Sequence, residues 1–81
     1  MESGDLSLAE KSFRDVLTLE PDNVGAHGNL AVVHMRRRDW KPALEQLQAA
    51  KKLAPKMPGI RLNIGLVYYR QADYARAIAP F

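Results

Sequence analysis

Cysteine is absent from this 81-residue chain, and its absence limits both architecture and chemistry. Without cysteine no disulfide can stabilise the fold, and no thiolate can act as a nucleophile or a metal ligand. A chain of this length forms one small domain at most. The lack of cysteine is consistent with a reducing compartment, so we favour the cytoplasm and leave the localisation open.

Long hydrophobic runs and catalytic motifs are missing as well. No apolar stretch approaches the roughly 18 residues of a membrane span, and the opening residues 1–13 are too polar for a signal peptide. His27 and His34 lie seven positions apart, whereas a helical metal site needs a spacing of about four. No glycine-rich phosphate loop is present. We therefore expect no enzyme activity, no metal or cofactor, and no membrane as a partner.

Charge of either sign is modest, with 12 Lys and Arg residues, 9 Asp and Glu residues and a net charge of +3. The one dense basic run is Arg36, Arg37 and Arg38. Cations at a helix end complement the helix dipole, but together with Arg70 this cluster can also hold nucleic-acid phosphates. Because the net charge is small, nucleic acid is a disfavoured partner that we retain as an alternative.

What the sequence does contain is an internal repeat with a period of 34 residues. Similar residues recur at this interval without any insertion: Asp5, Asp39 and Asp73; Ala9, Ala43 and Ala77; Phe13, Leu47 and Phe81; Pro21 and Pro55; Asn29 and Asn63. Self-similarity at a fixed period of this length is typical of a helical solenoid.

The spacing of apolar residues between the prolines predicts about five helices. Each segment has apolar residues three and four positions apart, which marks one buried helix face. The predicted helices lie near 5–20, 23–37, 40–53, 58–71 and 74–81. Asp22 or Asn23 is expected to cap the second helix and Asp39 the third, and Pro58 suits the first turn of the fourth. The short connections predict antiparallel neighbours.

These patterns resemble the tetratricopeptide repeat family. In the family the second helix of a repeat carries a small, a bulky and another small residue before a terminal proline, as Ala43, Leu47, Ala50 and Pro55 do here. The resemblance covers Gly4 to the end and implies an all-α, right-handed α-solenoid of antiparallel helix-turn-helix hairpins. It divides the chain into the second helix of a partial repeat at 4–23, a full repeat at 24–57, and a first helix with a truncated second helix at 58–81.

Five positions depart from the family pattern. His27 and Arg61 stand where the family usually has Trp or another aromatic residue, and His34 stands where it has Tyr, so both histidines are interpreted as packing residues. Arg38 and Ala72 stand in the turn within a hairpin, where the family often has glycine. A residue other than glycine has to accept an unfavourable backbone angle there, or the turn has to change.

The frame of the repeat predicts a fragment of a longer array. The chain opens on a second helix and stops inside another, with the core-type residue Phe81 at its last position. Solenoid ends need a polar cover. We therefore expect self-association through the open ends, either by stacking or by exchange of the terminal helix.

The resemblance also implies a concave groove that binds an extended peptide or a partner helix. Transferred to this sequence, its lining is Gly28, Asn29, Val32, Met35, Arg36, Leu62, Asn63, Leu66, Tyr69 and Arg70. Asparagine offers both a donor and an acceptor to a peptide backbone, and arginine offers a planar fork to carboxylates. Solvated polar side chains explain the same pattern without a ligand, and a packing role for Met35 and Tyr69 is equally open.

From these features we expect a protein-interaction scaffold whose partner is a protein or peptide of unknown identity. The alternatives are a nucleic-acid-binding helical repeat that uses its arginines, and a purely structural or oligomerisation element of a larger protein.

Overall fold

Four α-helices joined by short turns make up the described part of the chain. The computed structural model describes the backbone of residues 2–78 and the side chains of residues 4–73. The helices are α1 (Glu2–Leu19), α2 (Val24–Arg36), α3 (Trp40–Leu53) and α4 (Pro58–Ile78), and no strand occurs among residues 2–78. Each helix packs against the next one along the chain, and the short connections make neighbours antiparallel. The all-α prediction is confirmed.

The molecule is flat, with Cα extents of 46 × 33 × 15 Å. Its radius of gyration is 13.4 Å, compared with about 12 Å for a compact domain of the same length. The helices therefore form an open array, as expected for hairpins placed side by side.

The two turns between hairpins, around Pro21 and Pro55, use the same backbone hydrogen bonds. In the first, Glu20 N–H donates to Val16 O (2.7 Å) and Asn23 N–H to Glu20 O (3.0 Å). In the second, Ala54 N–H donates to Ala50 O (2.8 Å) and Met57 N–H to Ala54 O (3.2 Å). Each atom pair lies 34 residues from its counterpart, so the sequence repeat is also a repeat of backbone structure.

Helix starts follow the predicted signals in two of three cases. Asn23 caps α2, because its Oδ1 accepts a hydrogen bond from Ala26 N–H at 2.8 Å. Pro58 is the first residue of α4, where its missing N–H leaves no helical hydrogen bond unmade. The prediction for Asp39 is wrong, since its side chain makes no capping hydrogen bond to α3. Its carboxylate lies instead 4.0 Å from Nδ1 of His34.

The turn within the central hairpin holds Arg38 in the left-handed region, at φ 63°. Arg38 N–H donates to Met35 O at 3.0 Å, and Asp39 N–H donates to His34 O at 2.9 Å. These two bonds define a Schellman motif, which satisfies carbonyls that the helix end leaves unpaired. The expected unfavourable backbone angle is therefore present at Arg38.

The turn expected at Ala72 is absent, so four helices stand where about five were predicted. Helix α4 continues through Ala72 to Ile78, because alanine favours helix and a left-handed residue there costs about 1 kcal/mol. At the other end α1 begins at Glu2 and includes Gly4, which has no positive φ. Residues 79–81 of the predicted fifth helix, including Phe81, lie outside the described residues.

The hydrophobic core lies between α2, α3 and α4. Its buried cluster consists of Ala31, Met35, Ala43, Leu47 and Val67, with Trp40, Leu44, Ile64 and Leu66 packed against it. Trp40 thus opens α3 and packs on the core, as predicted. Helix α1 contributes only half-buried or exposed side chains over residues 4–19, so it lies at the margin of the core.

Candidate peptide-binding surface

On α2, three of the predicted groove residues share one helix face. Asn29, Val32 and Arg36 are spaced at i, i+3 and i+7, which places them on one side of the helix. Asn29 and Arg36 are exposed, while Val32 is half-buried between them. Gly28, the next residue of the predicted lining, is half-buried. This face therefore has a short apolar floor flanked by an amide and a guanidinium group.

The same pattern recurs on α4, one repeat later. Asn63, Leu66 and Arg70 hold the positions equivalent to Asn29, Val32 and Arg36. Asn63 and Leu66 are half-buried and Arg70 is exposed. Leu62 and Tyr69 extend the apolar part of this face, with exposed fractions of 72% and 66%. Each face presents an amide, an apolar residue and an arginine in the same order.

Met35 does not line a groove. It is 5% exposed and belongs to the buried cluster with Ala31, Ala43 and Leu47. The contact with α3 explains this position, because Met35 lies where α2 meets the start of its antiparallel neighbour. Met35 is therefore assigned to the core, which was the packing alternative for this residue.

Four of the arginines differ in their charge partners. Arg14 Nε lies 2.9 Å from Glu10 Oε2, and Arg37 Nη1 lies 2.5 Å from Glu10 Oε1, so one carboxylate holds both cations. Arg37 also donates to Ser7 Oγ at 3.3 Å. By contrast, neither Arg36 nor Arg70 forms an ion pair with any described side chain.

The contact between Glu10 and Arg37 joins α1 to the end of α2. The hydrogen bonds from Arg37 and then Arg14 lower the pKa of Glu10 below its usual range. The folded chain therefore binds this proton less readily than the unfolded chain does. The resulting stabilisation is present above the ordinary glutamate pKa and is lost as the pH falls.

The two histidines serve different structural purposes. His27 Nε2 lies 2.8 Å from Pro21 O and Nδ1 lies 2.8 Å from Gln46 Oε1. A carbonyl oxygen only accepts hydrogen bonds, so Nε2 carries the proton. In a neutral ring Nδ1 is then an acceptor, which requires the amide NH₂ group of Gln46, and not its oxygen, to face Nδ1. His27 thus links the preceding turn to α3. His34 is buried, with neither ring nitrogen hydrogen-bonded in the described structure.

Metal and membrane features are also absent from the described residues. Among residues 4–73 no group of three or more His, Asp or Glu side chains is arranged to hold a metal ion. No helix within residues 2–78 combines the length and the apolar character needed to cross a membrane.

Two of these contacts have no signal in the sequence. Glu10 and Arg37 are 27 positions apart and His27 and Gln46 are 19 apart. Neither spacing fits within one helix or equals the repeat. Arg37 is one of three consecutive arginines, and nothing in that run shows that the middle one meets Glu10 of α1.

Antiparallel helical hairpins with a 34-residue period define this chain as a helical-repeat protein of the solenoid class. Its sequence matches the Tetratricopeptide repeat family over residues 1–56 and again over residues 42–81. The chain therefore belongs to the tetratricopeptide repeat family, which confirms the resemblance inferred from its residues. Repeats of this family mediate protein–protein interaction and present extended concave surfaces for binding.

Similarity to curated proteins agrees with the family match. Tetratricopeptide repeat protein 8 of Homo sapiens is 34% identical over 74 residues, which cover 91% of this chain and 14% of that protein. Photosystem I assembly protein Ycf3 of Prochlorococcus marinus is 31% identical over 72 residues, which cover 85% of this chain and 42% of that protein. The chain thus spans less than half the length of these relatives.

Proposed function

We propose that this chain is a non-catalytic protein-interaction module that binds an extended, acidic peptide along the first helices of its hairpins, α2 and α4. The observation that carries the proposal is the repeated set of an amide, an apolar residue and an arginine on these two helices. Asn29, Val32 and Arg36 form the first set, and Asn63, Leu66 and Arg70 form the second.

Free positive charge supports an acidic ligand. Arg36 and Arg70 are exposed and lack ion pairs with described side chains, whereas Arg14 and Arg37 share the carboxylate of Glu10. A guanidinium group binds a carboxylate through two parallel hydrogen bonds. Two such groups, one on each helix, suit acidic side chains or a chain terminus of the ligand.

The amides and the apolar residues supply the remaining contacts. Asn29 is exposed and Asn63 half-buried, and an amide pairs with a peptide backbone of any sequence. Val32, Leu66 and Leu62 provide a narrow apolar surface beside them. A ligand held in this way is recognised by its extended backbone and its charge more than by a single anchor residue.

The structure gives less support to binding of nucleic acid. The basic run depends on three adjacent arginines, but Arg37 is half-buried and held by Glu10 and Ser7. Its guanidinium group is thus occupied by protein. A purely structural role is the other alternative, and it requires no ligand on α2 or α4.

Selection from a random library of ten-residue peptides displayed on phage tests the proposal. We expect the chain to enrich acidic peptides, and a double variant, Arg36→Gln with Arg70→Gln, to bind them at least about tenfold more weakly, since each charged hydrogen bond contributes roughly 1.5–3 kcal/mol. The matched control is Lys41→Gln with Lys56→Gln, which removes two exposed charges outside the proposed site. Circular dichroism verifies the fold of each variant.

Three results would contradict the proposal. The first is that no peptide is enriched, and the second is that the arginine and the lysine double variants lose binding equally. The third is that the double variant Asn29→Ala with Asn63→Ala binds the enriched peptides as tightly as the unmodified chain does. Binding of a single-stranded RNA probe, measured in parallel, tests the alternative that the chain binds nucleic acid. RNA affinity that falls steeply with salt concentration favours nucleic acid over peptide.

A further inference from the structure

One side of α4 carries a stripe of exposed residues, which we call the α4 stripe: Arg61, Gly65 and Tyr69. Their spacing of i, i+4 and i+8 places them on one side of the helix, and all three are exposed, with Tyr69 at 66%. Their counterparts on α2, 34 residues earlier, are His27, Ala31 and Met35. The α4 stripe is thus open to solvent in the described structure.

On α2 the counterpart positions are covered by α3. Ala31 and Met35 are at most 5% exposed and share a buried cluster with Ala43 of α3. The side chain of His27 contacts α3 as well, because its Nδ1 lies 2.8 Å from Oε1 of Gln46. The α4 stripe therefore corresponds to a surface that receives a helix resembling α3.

Helix α1 resembles α3 and is less completely covered. Ala9, Phe13 and Val16 stand 34 positions before three α3 residues that are 0% exposed, namely Ala43, Leu47 and Ala50. Ala9 and Phe13 are only half-buried, and Val16 is 36% exposed. Helix α3 lies between α2 and α4, whereas the packing of α1 is against α2. Helix α1 thus lacks the neighbour that α2 provides for α3.

The uncovered side of α1 is a second exposed stripe, which we call the α1 stripe: Leu8, Ser12 and Val16. These residues also follow i, i+4 and i+8, and Leu8 is 68% exposed. Their counterparts on α3 are Pro42, Gln46 and Ala50, all half-buried or buried. Since Gln46 is the residue that contacts His27, α1 presents to solvent the side that α3 presents to α2.

We propose that the α1 stripe of one copy of this chain docks on the α4 stripe of another copy, so that copies join head to tail. The α1–α4 pair reproduces between two copies the antiparallel contact that α2 and α3 make within one chain. In this register Ala9 meets Gly65, as Ala43 meets Ala31. The second copy thus supplies the helix that α4, continuing through Ala72, does not supply itself.

This contact is heterologous, because each copy uses two different surfaces. Such a contact leaves one free stripe at each end and continues from copy to copy unless the arrangement closes into a ring. The inference goes beyond the proposed peptide binding and does not depend on it. Asn63, Leu66 and Arg70, which form the peptide set on α4, are not part of the α4 stripe.

Charge complementarity favours α1 as the occupant of the α4 stripe. By sequence, α1 carries four acidic and two basic residues, whereas α4 carries three arginines and one aspartate. Helix α3 of a second copy, with three lysines and one glutamate, has the same sign as α4, and so does a second α4. Opposite charges on facing surfaces favour the correct pairing and disfavour these alternatives.

Disulfide trapping between two single variants tests the register, because the chain has no native cysteine. Gly65→Cys adds a Cβ that meets nothing within 4 Å, and Ala9→Cys enlarges a half-buried alanine beside the α1 stripe by one atom. After the two variants are mixed and mildly oxidised, we expect a disulfide-linked dimer. Peptide mapping should show position 9 bonded to position 65, since facing small residues let the backbones approach within disulfide reach.

The controls use the same number of thiols. Each variant alone should remain monomeric, because position 9 does not face position 9 and position 65 does not face position 65. Gln48→Cys, which alters an exposed residue of α3 outside both stripes, should not cross-link to Gly65→Cys. A mixture without the bond between positions 9 and 65, or with no more of it than of the homodimers, overturns the proposal.

Sedimentation measures the association without a cross-link. We expect the unmodified chain to form species larger than a dimer as its concentration rises, and Gly65→Arg to remain monomeric because its side chain occupies the α4 stripe. Gly59→Arg is the matched control, since it adds the same side chain to an exposed glycine on another side of α4. A Cβ at either glycine meets nothing within 4 Å, so neither variant disturbs the single copy.

Two results of sedimentation contradict the proposal. One is that the unmodified chain is a monomer at every concentration. The other is that the two arginine variants associate equally, which would show that the α4 stripe is not the contact.

A mixing experiment distinguishes the head-to-tail contact from a symmetric one. Ser12→Arg blocks the α1 stripe and leaves the α4 stripe free, whereas Gly65→Arg does the reverse. Each variant alone should be monomeric, and the equimolar mixture should form a dimer and nothing larger, because one compatible pair of stripes remains. A mixture that stays monomeric contradicts the proposal, and so does a mixture that forms longer assemblies.

Discussion

His34 is buried in the described structure with neither ring nitrogen hydrogen-bonded. Burial lowers its pKa below the ordinary histidine value near 6.5, while Glu10 and Asp39 act in the opposite direction and Arg14 and Arg37 act with burial. The folded chain thus favours the neutral ring. The contribution of neutral His34 to the stability is fully present above the pKa that His34 has in the unfolded chain. It is lost as the pH falls from that value towards the lowered pKa of the folded state.

Replacing His34 with leucine should raise the stability and flatten its pH dependence. His34→Leu removes two buried polar atoms at similar volume, and an unpaired buried polar group costs about 1–3 kcal/mol. We expect a gain of about 1 kcal/mol at pH 7.5. Between pH 7.5 and 5.5 the unmodified chain should lose up to about 1 kcal/mol more than the variant.

Urea denaturation at the two pH values measures both effects. Comparison of the two chains isolates His34, because His27 and every carboxylate are common to both. An equal loss of stability in the two chains, or a variant that is less stable at pH 7.5, contradicts the interpretation of His34 as a polar defect in the core.

Among the elements, the turn between α2 and α3 carries a clear backbone penalty. Arg38 adopts φ 63°, which costs a residue with a Cβ about 1 kcal/mol and costs glycine nearly nothing. We expect Arg38→Gly to be about 1 kcal/mol more stable than Arg38→Ala in urea denaturation. Both variants lose the arginine side chain and its interactions, so their difference reports the backbone alone. Equal midpoints would show that the turn carries no strain.

The helices could be predicted where local chemistry and the repeat agree. The sequence predicts helix α3 at 40–53, and it lies at Trp40–Leu53, since Pro55 prevents its continuation and the turn at Arg38 and Asp39 sets its start. At Ala72 the repeat and the local helix preference conflict. The repeat indicates a turn, but alanine favours helix, and nothing in the sequence states which preference prevails.

The candidate site was less predictable than the fold. The spacing of Asn29, Val32 and Arg36 was sufficient to place them on one face of α2. It did not reveal that Met35, one residue before Arg36, enters the core, because its burial depends on how closely α3 approaches. Nor did it distinguish the ion-paired Arg37 from Arg36 next to it, since the partner Glu10 lies on another helix.

For the whole molecule, the position of the core predicts an uneven stability. Every fully buried side chain of residues 4–73 belongs to α2, α3 or α4, and α1 is attached through its packing on α2 and the contact between Glu10 and Arg37. In helical repeats each unit is stabilised by its neighbours alone. We expect the amides of α2 and α3 to exchange hydrogen most slowly and those of α1 distinctly faster.

Hydrogen–deuterium exchange followed by mass spectrometry measures this gradient. Glu10→Gln should speed exchange in α1 and leave α3 nearly unchanged, because the lost ion pairs lie at the α1–α2 contact. Lys11→Gln, which breaks an exposed pair with Asp15 within α1, is the matched control and should have little effect. Uniform protection of all four helices would show instead that the molecule unfolds as one cooperative unit.

The identical hydrogen bonds of the two proline turns have a consequence for how such a chain grows. The turns around Pro21 and Pro55 have the same backbone hydrogen bonds. Residues 24–57 therefore form a unit whose two ends can be joined to each other through the same kind of turn. Insertion of a second copy of residues 24–57 at either turn creates only junctions of the kind already present in the chain. Deletion of one unit likewise leaves a junction of the same kind. Gene duplication can therefore lengthen or shorten the array in whole steps, and its reach can evolve separately from the surface chemistry that each unit displays.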